Sequence, residues 1–149
     1  MAVTSYTPTK NYPAFSTLVY PSYTVSTVTT ASAVTYTAAQ ILGGLILRDT
    51  NGAGRSDIFP TAALLLAAVE GAQYQSSPVS GNQATGFLVT IRNTADANET
   101  ITMTAGTGVT ISGTATIGQN NQKSFLIVFT NTTSGSEAYT AYSMGTVTF

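Results

Sequence analysis

The feature that most constrains this chain is the alternation of side chains from Phe87 to Phe149. Phe87, Val89 and Ile91 alternate with Leu88, Thr90 and Arg92. Ile101 and Met103 alternate with Thr100, Thr102 and Thr104, and Val109 and Ile111 with Thr110 and Ser112. Ala115 and Ile117 continue the pattern. In the run from Phe125 to Phe129, Phe125, Ile127 and Phe129 take one parity and Leu126 and Val128 the other. That pattern predicts a central strand covered on both faces. Tyr139–Ser143 and Thr146–Phe149 are predicted as the closing strands. A period of two places successive side chains on opposite faces of a strand and fits no helix. Turn signals separate the runs at 93–98, 105–108, 118–122 and 131–135. Short strands at this spacing predict a mainly β fold, an antiparallel β-sandwich or a jelly-roll-like barrel.

Upstream, Gly43–Gly71 reads differently. Thr37 is placed to cap a helical turn over 38–42, which Gly43 and Gly44 end. Leu45, Ile46 and Leu47 then predict a buried strand, and residues 49–54 a turn-rich loop. The stretch from about 61 to 70 predicts one short helix, with Thr61 at its N-cap, Asp57 near its positive end and Gly71 at its C′ position. Its residues are apolar on nearly every side, so it is expected to be buried all round. Residues 72–84 predict a polar loop.

Residues 1–35 show no helical period. Pro8, Pro13 and Pro21 interrupt them, and proline removes ladder donors and favours extended neighbours. The segments 16–20 and 23–30 allow short strands. We expect an extended N-terminal arm over 1–35 and a β-domain over 36–149. The arm carries Tyr6, Tyr12, Phe15, Tyr20 and Tyr23, more aromatic content than a solvated linker holds. These five residues are expected to anchor it, on its own domain or on a neighbouring subunit.

Composition narrows the chemistry. The chain of 149 residues has no cysteine and no histidine. No disulfide framework or thiolate metal site can form, and the commonest general base is missing. Five basic residues face six acidic ones, which gives no footprint for nucleic acid or an anionic membrane. The 28 threonines favour strands and wet the surface with few charges to desolvate. The first residues, MAVTSYTPTK, have neither a basic nor an apolar leader region, so synthesis in a cytosol without the usual export is expected. The longest apolar run, Ala62 to Val69, falls far short of the ~20 residues that span a bilayer. Two glycosylation triplets, at Asn98 and Asn131, are read as chance matches.

Four charged residues fall between 48 and 57: Arg48, Asp49, Arg55 and Asp57. The Asp49-x-Asn51-x-Ala53 spacing matches a calcium loop poorly, because Ala53 holds a ligand position and no carboxylate closes the loop. A better reading pairs each arginine fork with a carboxylate. Such pairs would pin the glycine-rich loop or join a neighbouring subunit. Asp96, Glu99 and Glu137 are isolated acids in or near turns, read as turn formers. Lys123 and Arg92 are lone bases on strand margins. Gly106-Thr107-Gly108 and Gly52-Ala53-Gly54 lack the lysine of a phosphate loop. Tyr139 and Tyr142 fall at opposite parity and form no single sugar platform. No catalytic, cofactor or metal residue is assigned, and an enzyme is the least expected class.

The run LILRDTNGAGRSDIFPTAALLLAAV and the Thr-rich strands after it resemble small β-rich virion structural proteins of tailed phages and large DNA viruses. The resemblance extends from Thr37 onward and is carried by the RDxNGxGRxD and PTAA segments. It implies a virion location after synthesis in the host cytoplasm, with no catalysis. The expected role is a capsid decoration, cement or minor capsid subunit. Its partners would be other virion proteins or its own copies in a homo-oligomer, with neither nucleic acid nor membrane. The alternatives are a tail- or fibre-associated adhesion or carbohydrate-binding module, and an extracellular filament subunit.

Overall fold

A computed structural model describes residues 23–72 and 86–149. Nine strands and two helices follow in chain order: β1 (Thr24–Val28), α1 (Ala38–Leu42), β2 (Gly44–Arg48), β3 (Arg55–Ile58), α2 (Ala62–Ala72), β4 (Gly86–Asn93), β5 (Ile101–Thr104), β6 (Val109–Ser112), β7 (Thr116–Ile117), β8 (Asn121–Asn131) and β9 (Ala138–Thr148). The arm residues Tyr6, Tyr12, Phe15 and Tyr20, the possible strand at 16–20 and most of the polar loop at 72–84 lie outside the described residues.

The strands form a six-stranded sheet, ordered β1-β2-β4-β8-β9-β6, and a three-stranded sheet, ordered β3-β5-β7. The fold is mainly β, as the alternation predicts, but the sheets are mixed rather than antiparallel. β1 runs parallel to β2 and β2 to β4, as β6 does to β9 and β3 to β5. Only β4–β8, β8–β9 and β5–β7 are antiparallel. The physical reason lies in the connections. A tight turn joins antiparallel neighbours, whereas a parallel pair needs a crossover. From β1 the chain crosses to the smaller sheet, where Thr35 bridges Ile58, and returns through α1 into β2. It leaves again through β3 and α2 before β4. The helices therefore lie within crossovers.

The two sheets and both helices share one core. Ile46, Val89, Ile91, Phe125 and Ile127 come from the larger sheet, and Ile101, Met103 and Ile117 from the smaller. Ile41, Leu65, Leu66 and Val69 come from the helices. Phe59 meets Phe125 edge to face at 5.2 Å between centroids. Each such side chain contributes about 1.5–3 kcal/mol when fully buried. β8 is indeed central in its sheet, but only the face with Lys123, Phe125, Ile127 and Phe129 is buried. Ser124, Leu126 and Val128 on the other face are half-buried. The expected pair of closing strands is one strand, β9, running through Gly145.

α1 matches its expected cap. The Thr37 hydroxyl accepts from Gln40 N–H, and the Gln40 side chain accepts from Thr37 N–H. Gly43 closes the helix. Gly44 has φ +82, and a Cβ there would come within 2.6 Å of the Tyr23 ring. The positive φ favours glycine here, and a larger residue would also displace the exposed Tyr23 ring.

α2 departs from expectation in two ways. Thr61 does cap it, accepting from Leu64 N–H at 3.3 Å, but the helix continues through Gly71 to Ala72. It is also not buried all round. Ala62, Leu65, Leu66 and Val69 face the core, while Ala63, Leu64, Ala67 and Glu70 are exposed, Leu64 to 63%. Alanine loses little by facing water, so an Ala-rich helix needs only one buried stripe. With α1, the described residues hold two helices rather than one short buried helix.

Candidate functional site

The polar residues of interest gather where β2 and β4 end. Strand parity explains why. Arg48 shares its face of β2 with buried Ile46, and Asn93 shares its face of β4 with Val89 and Ile91. Each strand turns its last side chain inward. The two residues are register partners.

Arg48 is wholly buried. Its Nε donates to Asp57 Oδ2 at 2.7 Å and Nη2 to Asp57 Oδ1 at 3.3 Å. Nη1 donates to the carbonyls of Thr30 (2.7 Å) and Asp49 (2.6 Å), with Val28 O at 3.5 Å, and Nη2 donates also to Ser32 O at 2.8 Å. Asp57 is equally buried. Its Oδ1 also accepts from Val34 N–H at 3.1 Å, and Oδ2 from the Tyr36 hydroxyl at 2.9 Å. Burial first, then the Asp57 charge and hydrogen bond, push the Tyr36 hydroxyl far above its usual range. Every donor nitrogen of the guanidinium and both carboxylate oxygens are engaged, so no hydrogen-bonding capacity is left for a ligand. The cluster ties residues 28–36 to β2 and β3.

Arg48–Asp57 is the sole ion pair among the described residues. The structure does not pair the other two charges of this cluster with each other. Asp49 is half-buried, and its Oδ1 accepts from Asn51 N–H at 2.8 Å. Arg55 is half-buried. Its backbone N–H bonds Thr100 O at 2.8 Å, and its Nε is enclosed with no hydrogen-bond partner among the described residues. Tyr23, the one arm anchor within the described residues, is exposed, with its ring against Gly44.

The glycine-rich loop after β2 is held by Glu99, which the sequence gives as a turn acid. Glu99 is buried. Its carboxylate accepts from the Thr50 hydroxyl and from Gly52 N–H at 2.6 Å. Its carbonyl accepts from Asn93 Nδ2 at 2.9 Å, and the same amide reaches Ile117 O at 3.1 Å. No local pattern marks Glu99, since its partners lie 47 and 49 positions away. Lys123 is also buried, on the parity of Phe125 and Ile127. Its Nζ donates to Thr114 O at 2.8 Å, and burial lowers its pKa. Parity could have found Arg48, Asn93 and Lys123.

Among the described residues no three metal-ligating side chains converge, and no helix is long and apolar enough to cross a membrane. The outer face of the larger sheet has a different character. It carries Val25, Leu45, Leu47, Leu88, Leu126 and Tyr142, interspersed with Thr27, Thr90, Ser124 and Thr140, with Val25 54% and Leu88 51% exposed. Its one charge is Arg92, whose guanidinium carbon lies 3.3 Å from the centroid of the Phe149 ring.

No protein-family model, curated protein or solved structure matches the chain.

Proposed function

We propose that this protein is a structural subunit of a virus particle, with a capsid decoration, cement or minor capsid role as the first choice. One observation carries the reading. The outer face of the six-stranded sheet bears one charge, mixes Leu and Val side chains with Thr and Ser, and exposes Val25, Leu88 and Tyr142 among the described residues. Exposed apolar side chains on a nearly uncharged face suit an interaction surface, since few charges must be desolvated. The saturated Arg48–Asp57 and Glu99 clusters act as rigid joints rather than sites of chemistry. The resemblance of the 48–57 segment to virion proteins supplies the location, and burial against other subunits supplies the stabilisation.

We further propose that the two sheets form a sandwich, which the core shared between their inner faces supports. In this reading the aromatic residues of 1–22 add contact area on neighbouring subunits. Ordering such a segment costs about 1–2 kcal/mol per residue for the backbone, which contact must offset.

The test is a chain that begins at Tyr23. A cut near residue 36 would also remove β1 and the carbonyls of Val28, Thr30 and Ser32 that hold Arg48. The shorter truncation is expected to keep the fold, by circular dichroism, and to lose particle binding in co-sedimentation. Undiminished binding would remove the arm from the proposal. Failure to find the protein's density in an intact particle would remove the virion role itself.

A further inference from the structure

β1 is an open sheet edge of five residues among the described residues; the stretch of β9 that β6 leaves uncovered, residues 143–148, is interrupted by a register shift and by Gly145 at positive φ. The opposite edge strand, β6, has four residues, and β7 has two. The free side of β3 is met by Thr35. β1 has five residues, Thr-Val-Ser-Thr-Val, with no charge and no proline. Exposed edges are normally blunted by a charge, a proline, a bulge or a cover, and among the described residues β1 shows no such device.

Its register says which groups are open. Thr24 N–H bonds Gly43 O, and Val28 O accepts from Asp49 N–H, so the even-numbered residues turn their backbone groups toward β2. The backbone groups of Val25 and Thr27 therefore point away from the sheet. Both side chains lie on the outer face and are exposed.

These positions are self-complementary. We propose that β1 pairs antiparallel with β1 of a second copy of this chain, about a two-fold axis at Ser26. Val25 then forms a hydrogen-bonded pair with Thr27 of the second copy, and Thr27 with Val25 of the second copy. Thr24 falls opposite Val28 of the second copy. Ser26 meets its own equivalent as a non-hydrogen-bonded pair. Every pair away from the axis is between β-branched residues, which sheets favour, and no like charges meet. A two-fold contact uses the same edge twice and closes, whereas a head-to-tail strand contact leaves an edge open for fibre growth. The two larger sheets become one continuous sheet, and their weakly charged outer faces join. The proposal rests on the reading of the chain as an assembly subunit, but it concerns only contact between copies. It can fail in solution while particle binding survives, and the reverse.

The full chain is tested by sedimentation velocity over a concentration series, with three variants. The wild type is expected to dimerise reversibly. Thr27→Pro removes an edge-facing N–H without touching the bonds to β2, and edge strands tolerate proline. It is expected to weaken dimerisation about tenfold or more, with an unchanged urea midpoint at concentrations where both proteins are monomeric. The chain has no cysteine, so Ser26→Cys gives a clean readout. The two Cα atoms would lie about 4.5 Å apart, within disulfide range, and mild oxidation is expected to cross-link them. In the same register two Thr24→Cys residues would stand about 13 Å apart and stay reduced. A monomer at every concentration with Ser26→Cys uncross-linked overturns the proposal. So does a dimer in which Ser26→Cys and Thr24→Cys oxidise equally, or one that forms only after residues 1–22 are removed. If Thr27→Pro does not fold, the two cysteine variants decide.

Discussion

The Arg48 corner and the Glu99 loop sit side by side at the ends of β2 and β4, yet they hold the chain by different physics. At the corner a full ion pair is buried, and the arginine's remaining donors go to backbone carbonyls of residues 28–32 and 49. At the loop one carboxylate faces only neutral donors, Thr50 Oγ1 and Gly52 N. A buried pair adds little net stability over well-packed apolar residues, because desolvation offsets the Coulomb gain. Removing one partner is costly, since the other charge is stranded. The carboxylate at the loop strands only neutral groups when removed, and exposed Gly52 can turn to water. The corner therefore concentrates vulnerability, and the loop disperses it.

The largest expected effect follows from that difference. Arg48→Met leaves Asp57 buried and unpaired and frees the carbonyls of Thr30 and Ser32. It should cost about 3–5 kcal/mol, read as a fall in the urea midpoint. Glu99→Ala should cost less, about 1–3 kcal/mol, and its effect should concentrate in faster amide exchange at residues 50–54. A midpoint for Glu99→Ala at or below that of Arg48→Met would reverse the ranking.

The smallest effect sharpens the corner itself. The folded state holds the Tyr36 phenol neutral, with a pKa above its ordinary value near 10. As pH rises past about 10, the unfolded chain releases this proton first. The unfolded state then binds fewer protons, so the stability present below that pH declines above it. Tyr139, whose hydroxyl donates to Pro60 O at 2.8 Å, is pushed up by burial and acts in the same direction. Tyr36→Phe should cost about 0.5–1.5 kcal/mol at neutral pH and make the decline above pH 10 shallower. An alkaline melting series identical to wild type would mean that Tyr36 is not the group sensed.

The aromatic edge contacts show the same division between what is local and what is not. Phe59 and Phe125 are 66 positions apart and meet at 5.2 Å. Each is legible alone as a core candidate, but the contact depends on two crossovers. The open outer face was similarly hidden. Leu126 and Val128 have the composition of a covered strand face, yet they are only half-buried and lie on the face opposite the core residues Phe125, Ile127 and Phe129.

By itself the sequence determined the local elements. Period-two alternation specified strands β4, β5, β6 and β8, and Thr37 specified the start of α1, because these signals act over a few residues. Tertiary structure alone decided strand direction, since an interval such as 29–43 does not encode whether the chain returns parallel or antiparallel. It also decided which charges meet. Arg48 faces Asp57 rather than Asp49 because β2 and β3 lie in different sheets and both side chains turn into the space between them. Glu99 became a loop anchor for the same reason: a carboxylate's role is set by the donors that packing brings to it.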